Sequence, residues 1–407
     1  MREMTMKDEK GIKLALSFGR RYLTGLFISL GIALLIISSP ASAIDLKGMG
    51  STYRGQLGIG VMDYSVTPEV IEDGVAQVVA GEKHSLFIKT DGTLWAMGAN
   101  WFGQLGDGTT FESSTPVQIA EGVAQVAAGW DHSLFVKTDG TLWAMGYNCY
   151  GQLGDGTTTS RSTPVQIAEG VAQVVAGGIH DLFVKTDGTL WAMGYNHYGQ
   201  LGDGTTTNRS TPVQIAEGVA QAVAGEMHSL FIKTDGTLWA MGYNFYGQLG
   251  DGTTIDSSTP VQIAEGVAQV AAGEKHSLFI KTDGTLWSMG YNSHGQLGDG
   301  TTTSRSTPVQ IAEGVAQVAA GWHHNLFIKT DGTLWAMGEN EYGQLGDGTT
   351  IYRSTPVQIA EGVAQAAAGE NHSLFVKTDD TLWAMGENEY GQLGDGTTTD
   401  RSTPVQI

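Results

Sequence analysis

Seven histidines, His84, His132, His180, His228, His276, His324 and His372, stand 48 residues apart, and Trp95, Trp143, Trp191, Trp239, Trp287, Trp335 and Trp383 keep the same interval. Histidine is a common zinc ligand, so the series raises the question of a metal. Long spacing argues against it. Packed sheets lie about 10 Å apart, so equivalent residues of successive units fall on a circle, whereas the ligands of one zinc all lie about 2 Å from it. The series therefore predicts one structural histidine per unit, with a hydrogen bond fixing a turn. In Trp322-His323-His324 two histidines adjoin, but neighbours on a strand point to opposite faces. The single cysteine, Cys149, excludes an intramolecular disulfide and a cysteine-held cluster, and reads as an exposed thiol.

Other chemistry-bearing residues repeat as well. Asp107, Asp155, Asp203, Asp251, Asp299, Asp347 and Asp395 sit in Gly-Asp-Gly-Thr-Thr segments. A calcium loop needs oxygen ligands at alternate positions, and that pattern is absent, so these aspartates read as turn formers. The glycine-rich Gly-Gln-Leu-Gly-Asp-Gly lacks the lysine of a phosphate loop. Catalysis needs unlike groups converging at one place; near-identical copies supply seven equal places instead. The expectation is a non-catalytic protein with no cofactor and no metal.

The elements that carry these residues follow from the period. The unit is written out by residues 74–121, and seven copies fill 74–407, the last lacking its final two residues. A diverged half-unit, residues 48–73, precedes them within a mature N-terminal stretch of 44–73. A fixed period of this size marks a propeller or a solenoid. Four short strands are predicted per unit: A over 75–80, B over 85–89, C over 93–97 and D over 115–119. B and C join at Thr90-Asp91-Gly92, where Asp-Gly accepts positive φ. The last copy has Asp379-Asp380 there, at a cost of up to ~1 kcal/mol. Strands B and C are apolar on both faces, as in a sheet sandwiched between two others. The small residues of strand A suit a crowded centre, and the seven tryptophans are expected in the core between units. Seven units lie within the range of closed propellers, and the last copy has no polar cap of the kind an open solenoid wants. The expected fold is all-β: a seven-bladed propeller of four-stranded antiparallel blades. The half-unit is surplus to seven blades, either packing outside or making an incomplete eighth.

Composition bounds the partners. Glycine is 58 of 407 residues, the charged share is 16%, and the net charge is −20. A chain this acidic repels phosphate backbones, so nucleic acid is not an expected partner. Residues 1–43 hold six Lys/Arg and three acids; a basic stretch ends at Arg20-Arg21, an apolar run covers 26–37, and Ala41-Ser42-Ala43 closes the segment. This is the layout of a secretory signal peptide cut after Ala43. The apolar run is shorter than the roughly 20 residues of a membrane span. The mature chain is thus expected to be a soluble monomer without a membrane span, secreted or periplasmic.

The recurring Ala-Gly-x-x-His-Ser-Leu-Phe-x-Lys-Thr-Asp-Gly-Thr-Leu-Trp-Ala-Met-Gly, followed by Gly-Gln-Leu-Gly-Asp-Gly-Thr-Thr and Ser-Thr-Pro-Val-Gln-Ile, resembles the regulator of chromosome condensation repeat family over residues 48–407. The resemblance implies a seven-bladed propeller. Nuclear members exchange guanine nucleotide on a small GTPase and bind chromatin. The export signal, the acidic charge, and the absence of a basic tail and of any loop insertion separate this chain from them. Exported bacterial members are nearer in layout, and propellers of this kind bind partner proteins. Fold alone does not decide function.

Differences between copies concentrate in the A–B and C–D loops, which emerge on one face because strands A and C run the same way. There the chain places Trp101, Phe102, Phe111, Trp130, Asp131, Tyr147, Tyr150, Tyr195, Tyr198, Met227, Tyr243, Phe245, Tyr246, Tyr291, Trp322, His323, Tyr342, Tyr352 and Tyr390. Amphipathic aromatics give large contact area at small entropic cost. An extracytoplasmic protein is the first expected ligand of this face. An envelope glycan, stacked on Tyr and Trp, is the alternative.

Overall fold

Strand B faces strand C with Phe87 opposite Trp95 and His84 opposite Gly98, and this pairing sets the plan of every blade. The computed structural model describes residues 14–17, 44–61 and 63–407, with backbone only for 14–17, 44 and 45. Strands β1 (Leu14–Ser17), β2 (Ile44–Ser51), β3 (Tyr64–Ala80), β4 (His84–Lys89), β5 (Leu94–Gly98) and β6 (Ser113–Ala120) form one antiparallel sheet. The second half of β3 with β4, β5 and β6 is blade 1. Six further four-stranded sheets follow as blades 2 (123–168), 3 (171–216), 4 (219–264), 5 (267–312), 6 (315–360) and 7 (363–406). The fold is a seven-bladed all-β propeller, and the observed strands overlap the four expected per copy. Bulges in the C–D pairing beside Ala96 and Gly98 bend the outer strand.

Neither face of a blade is left to water. Leu86, Ile88, Leu94, Ala96 and Leu105 of blade 1 pack against Val123, Val126, Phe135 and Met145 of blade 2. The same contact recurs between blades 2 and 3, and onward to blades 6 and 7. One face thus carries Leu and Ile, the other Phe and Met, which is why strands B and C do not alternate polar with apolar. Fully burying each such side chain contributes about 1.5–3 kcal/mol.

The histidines act across blades, not within their own A–B turn as the spacing suggested. His84 Nε2 lies 2.9 Å from Ser133 Oγ of the next blade, and Ser133 Oγ donates at 2.8 Å to the Gln104 carbonyl. The hydroxyl proton is committed to that carbonyl, so Nε2–H is the donor to Ser133, and burial favours the neutral ring. His180, His228 and His324 repeat the bond to Ser229, Ser277 and Ser373, and His276 uses Asn325. The A–B turn is closed instead by the backbone, Gly81 N donating to His84 O at 2.9 Å. The tryptophans pack against the core between units as expected, but at its edge. Trp95 and its equivalents are only half-buried. Each stacks on the Phe across its hairpin, at 6.3 Å for Phe87–Trp95, and carries a Lys over the ring, at 5.3 Å for Lys89.

The surplus half-unit is neither discarded nor external. Strand β2 and the first half of β3 occupy the places of strands C and D in a half-blade between blades 7 and 1. Met49 joins Leu374, Leu382, Ala384, Leu393 and Ile407 of blade 7, while Leu46 and Ile71 join Val78, Phe87 and Met97 of blade 1. The first half of β3 pairs with β2 and the second half with β4, so one strand serves the half-blade and blade 1 together. Strand β1 pairs antiparallel with β2, Leu14 opposite Gly48. Apart from Leu14–Ser17, the expected signal peptide lies outside the described residues.

Two predictions follow from these turns and bonds. Asp380 is the one non-glycine residue at positive φ among the described residues, at 67°. Asp380→Gly is expected to raise stability by about 0.5–1 kcal/mol in a denaturant titration. The second concerns pH. Burial, with a smaller push from neighbouring histidines, takes His84, His180 and His228 down to about 3, and burial takes His276 down to about 4. An unfolded histidine titrates near 6.5, so between that pH and about 4 the unfolded chain binds protons that the folded rings refuse. Stability is full above 6.5 and falls as pH drops. Each ring contributes a slope of up to ~1.4 kcal/mol per pH unit. His228→Gln should reduce that slope by about one proton; an unchanged slope would refute the assignment.

Candidate functional site

Each C–D loop is built on one buried asparagine. Asn100 Nδ2 donates to Asp107 Oδ1 at 3.0 Å and to the Phe111 carbonyl at 3.0 Å, and its Oδ1 accepts from Leu105 N at 3.0 Å. Gln104 Oε1 accepts from Phe102 N at 3.0 Å. Asn148, Asn196, Asn244, Asn292, Asn340 and Asn388 repeat the asparagine bonds. The repeated aspartates serve here as acceptors that shape the loop. The A–B loop is tied to it: Tyr147 N donates to Asp131 O at 2.9 Å, with equivalents in the other blades. Both variable loops therefore share one face. The B–C turn and the D–A link meet on the other, where Val123 N donates to Gly92 O at 2.9 Å.

On the variable face the rings touch in sequence. Phe102 meets Tyr147 at 4.7 Å, Tyr150 meets Tyr195 at 5.0 Å, Tyr198 meets Tyr243 at 4.9 Å and Tyr246 meets Tyr291 at 4.7 Å, each pair crossing from one blade to the next. Within blades, Tyr147–Tyr150, Tyr195–Tyr198 and Tyr243–Tyr246 stand 6.0–6.3 Å apart, close to edge-on. The arc runs from blade 1 to blade 5 and continues through His294 to His323 and Tyr352. Such pairs contribute roughly 0.5–1.5 kcal/mol each beyond area burial.

The other expected residues surround this arc. Phe245 flanks it beside Tyr246, and Tyr390 meets Tyr53 of the half-blade at 6.0 Å. Trp101 lies under the Arg54 guanidinium, 4.6 Å from the ring centroid. Trp130 covers the backbone of Gly178, and Trp322 N donates to Gly369 O. Met227 sulfur lies near Gln200 Nε2. Phe111 at 79% exposure, Phe245 at 63%, Ile255 at 74% and Ile351 at 64% are exposed on the C–D loops of blades 1, 4 and 6. Tyr342 belongs to the loop held by Gln344. Cys149 is exposed as expected.

The face is acidic toward blades 4 to 7. Asp131 accepts from Gln104 Nε2 at 3.1 Å, and burial, then Glu82, pushes its carboxyl up to about 6. Burial, then Glu274, raises Glu226 to about 7. Burial, then Glu341, Glu370 and Glu274, raises Glu339 to about 7. Three groups of this region, Glu274, His294 and Glu339, were not among the expected site residues; for His294 and Glu339 the signal was a departure from the repeat, whereas Glu274 shares its residue type with Glu82, Glu226 and Glu370. Asp181 was also missed. It replaces the usual serine and brings both carboxylate oxygens within 3.0 Å of the buried His132 Nε2, and burial raises its carboxyl.

Comparison with known proteins agrees with this architecture. The RCC1-like domain model matches residues 41–264 and 166–407. No curated protein matches the chain. Among solved structures, human WBSCR16 is similar with a TM-score of 0.66 and 22% identity, over 81% of this chain and 98% of that one. Prp20p from Saccharomyces cerevisiae, described with its binding to Gsp1p and histones, gives a TM-score of 0.67 and 21% identity, over 83% and 92%. Yeast RCC1 (Prp20) bound to Kap60 gives 0.62 and 19%, over 100% and 91%. These likenesses show the fold, and the family model covers the chain from residue 41 to its last residue: the protein belongs to the RCC1-like domain family.

Proposed function

We propose that this protein is an exported, non-catalytic binding protein that grips a partner protein with its A–B/C–D loop face. The observation that carries the reading is the unbroken arc of rings, with Phe111, Phe245, Ile255 and Ile351 exposed on the loops of the same face. Large exposed apolar groups clustered on one side mark interaction sites. A protein suits this surface better than a glycan. Sugars stack on open ring faces, whereas the arc rings meet one another edge to face and Trp101 is covered by Arg54. Family likeness suggests protein binding; guanine-nucleotide exchange would require recognition by a face that here is acidic and lacks any loop insertion.

The export reading rests on the basic, apolar and Ala-x-Ala layout of residues 1–43. Among the described residues no helix is long and apolar enough to cross a membrane. Cleavage after Ala43 would remove β1 and leave β2 as the first strand.

Two measurements test this. Intact mass of the protein recovered outside the cytoplasm should correspond to a chain starting at Ile44; a chain retaining residues 1–43 would overturn processing there. For the face, the protein is used as bait against the extracytoplasmic fraction beside Phe111→Ser/Phe245→Ser/Ile255→Ser/Ile351→Ser. These side chains are exposed, so the variant should fold. A partner protein held by the parent and weakened at least tenfold in the variant is expected, with Glu169→Ala on the opposite face unchanged. Equal retention would place the site elsewhere, and retention of glycans alone would replace the protein reading.

A further inference from the structure

The repeat is broken in kind, and not only in detail, at one junction. His294 occupies a position that is aromatic in the other six copies, His323 a position with no other histidine, and Glu339 a position that is Ala or Tyr in copies 1 to 5. His294 comes from the C–D loop of blade 5; His323 and Glu339 come from the A–B and C–D loops of blade 6. The fold brings them together: one ligand atom of each lies within 4.8 Å of the others. The two rings are 4.9 Å apart, centroid to centroid.

We infer that His294, His323 and Glu339 form a binding site for a divalent transition metal of the zinc type. Two imidazoles and one carboxylate are a donor set of open zinc sites, which keep a fourth position for water or another ligand. Ligands on a tetrahedral zinc with bonds of about 2.0–2.1 Å are roughly 3.4 Å apart. Side-chain rotations that bring the ligand atoms up to about 1.4 Å closer close the difference. The surroundings match what such a site needs. Glu274 Oε2 lies 3.4 Å from His323 Nε2, the carboxylate–histidine arrangement that orients a ligating ring and frees its other nitrogen. That other nitrogen, His323 Nδ1, is buried without a hydrogen-bond partner, and so is His294 Nδ1. The core histidines differ in that each spends Nε2 on the next blade, as His84 does on Ser133 and His276 on Asn325. Charge points the same way. Glu339 is crowded by Glu341, Glu370 and Glu274, and Lys275 pairs with Glu274. A dication relieves that repulsion. The site opens on the loop face, with both rings half-exposed. It stands whether or not that face binds a protein.

The test is zinc titration of the purified full chain after chelator dialysis, by calorimetry, with cobalt as a spectroscopic probe of tetrahedral coordination. One zinc per chain is expected, with micromolar or tighter affinity. His294→Tyr and His323→Asn restore residues that other copies carry and should keep the fold by circular dichroism, yet weaken binding at least tenfold. Glu274→Gln should weaken it by about 10–100-fold. His197→Ala, an exposed histidine of blade 3, should leave it unchanged. Absence of stoichiometric binding in the parent, or unchanged binding in the folded His294→Tyr and His323→Asn variants, would overturn the site.

Discussion

Every blade depends on the next one for burial. From blade 1 to blade 6 the Leu/Ile face is closed by the Phe and Met of the next blade, and the buried histidine is hydrogen-bonded to the next strand B; blade 7 is closed by Met49 of the half-blade. A buried imidazole with no partner on Nε2 would cost about 1–3 kcal/mol, so the bond works as a condition on register more than as a source of net stability. A blade rotated or slid by one residue would lose the serine and the hydrophobic match together. Stability of such a ring is shared between neighbours, with each unit unable to bury its own core alone.

This division of labour frees the loop face. Because Asn100 and its equivalents hold each C–D loop through backbone carbonyls and the invariant Asp, the residues between them can change without moving the chain. The same backbone carries Trp101 in one copy, Cys149 in another and Phe245 in a third. Differences in chemistry are thereby displayed at fixed positions around the ring. Aromatic contacts across blades then turn separate loops into one continuous surface.

Much of this was legible in the residue pattern, and the exceptions share a cause. The period, the strand positions, the strained Asp380 and the placing of variation on one face read directly from the copies aligned on one another, because each belongs to one unit at a time. The role of His84 did not, because its partner Ser133 is 49 positions away and belongs to the neighbouring unit. Nor did the half-buried setting of Trp95: an aromatic at a repeated position looks like core until the Lys over its ring and the bent strand D are placed. The aromatic arc and the meeting of His294 with His323 and Glu339 are likewise contacts between copies. Sequence comparison along one chain displays such residues as separate deviations; only the ring shows that they face each other.

The half-blade has a consequence for how such a gene can change. It meets blade 7 through Met49, the strand C part of the contact that a whole blade makes with its predecessor, and it meets blade 1 through Leu46 and Ile71, the places that Leu94 and Ile119 take against blade 2. The closing unit thus recognises a generic blade surface, not the first or the last in particular. Whole copies can be gained or lost by recombination between near-identical segments without redesigning the closure. What limits their number is the curvature available at the axis, where the slim A strands converge.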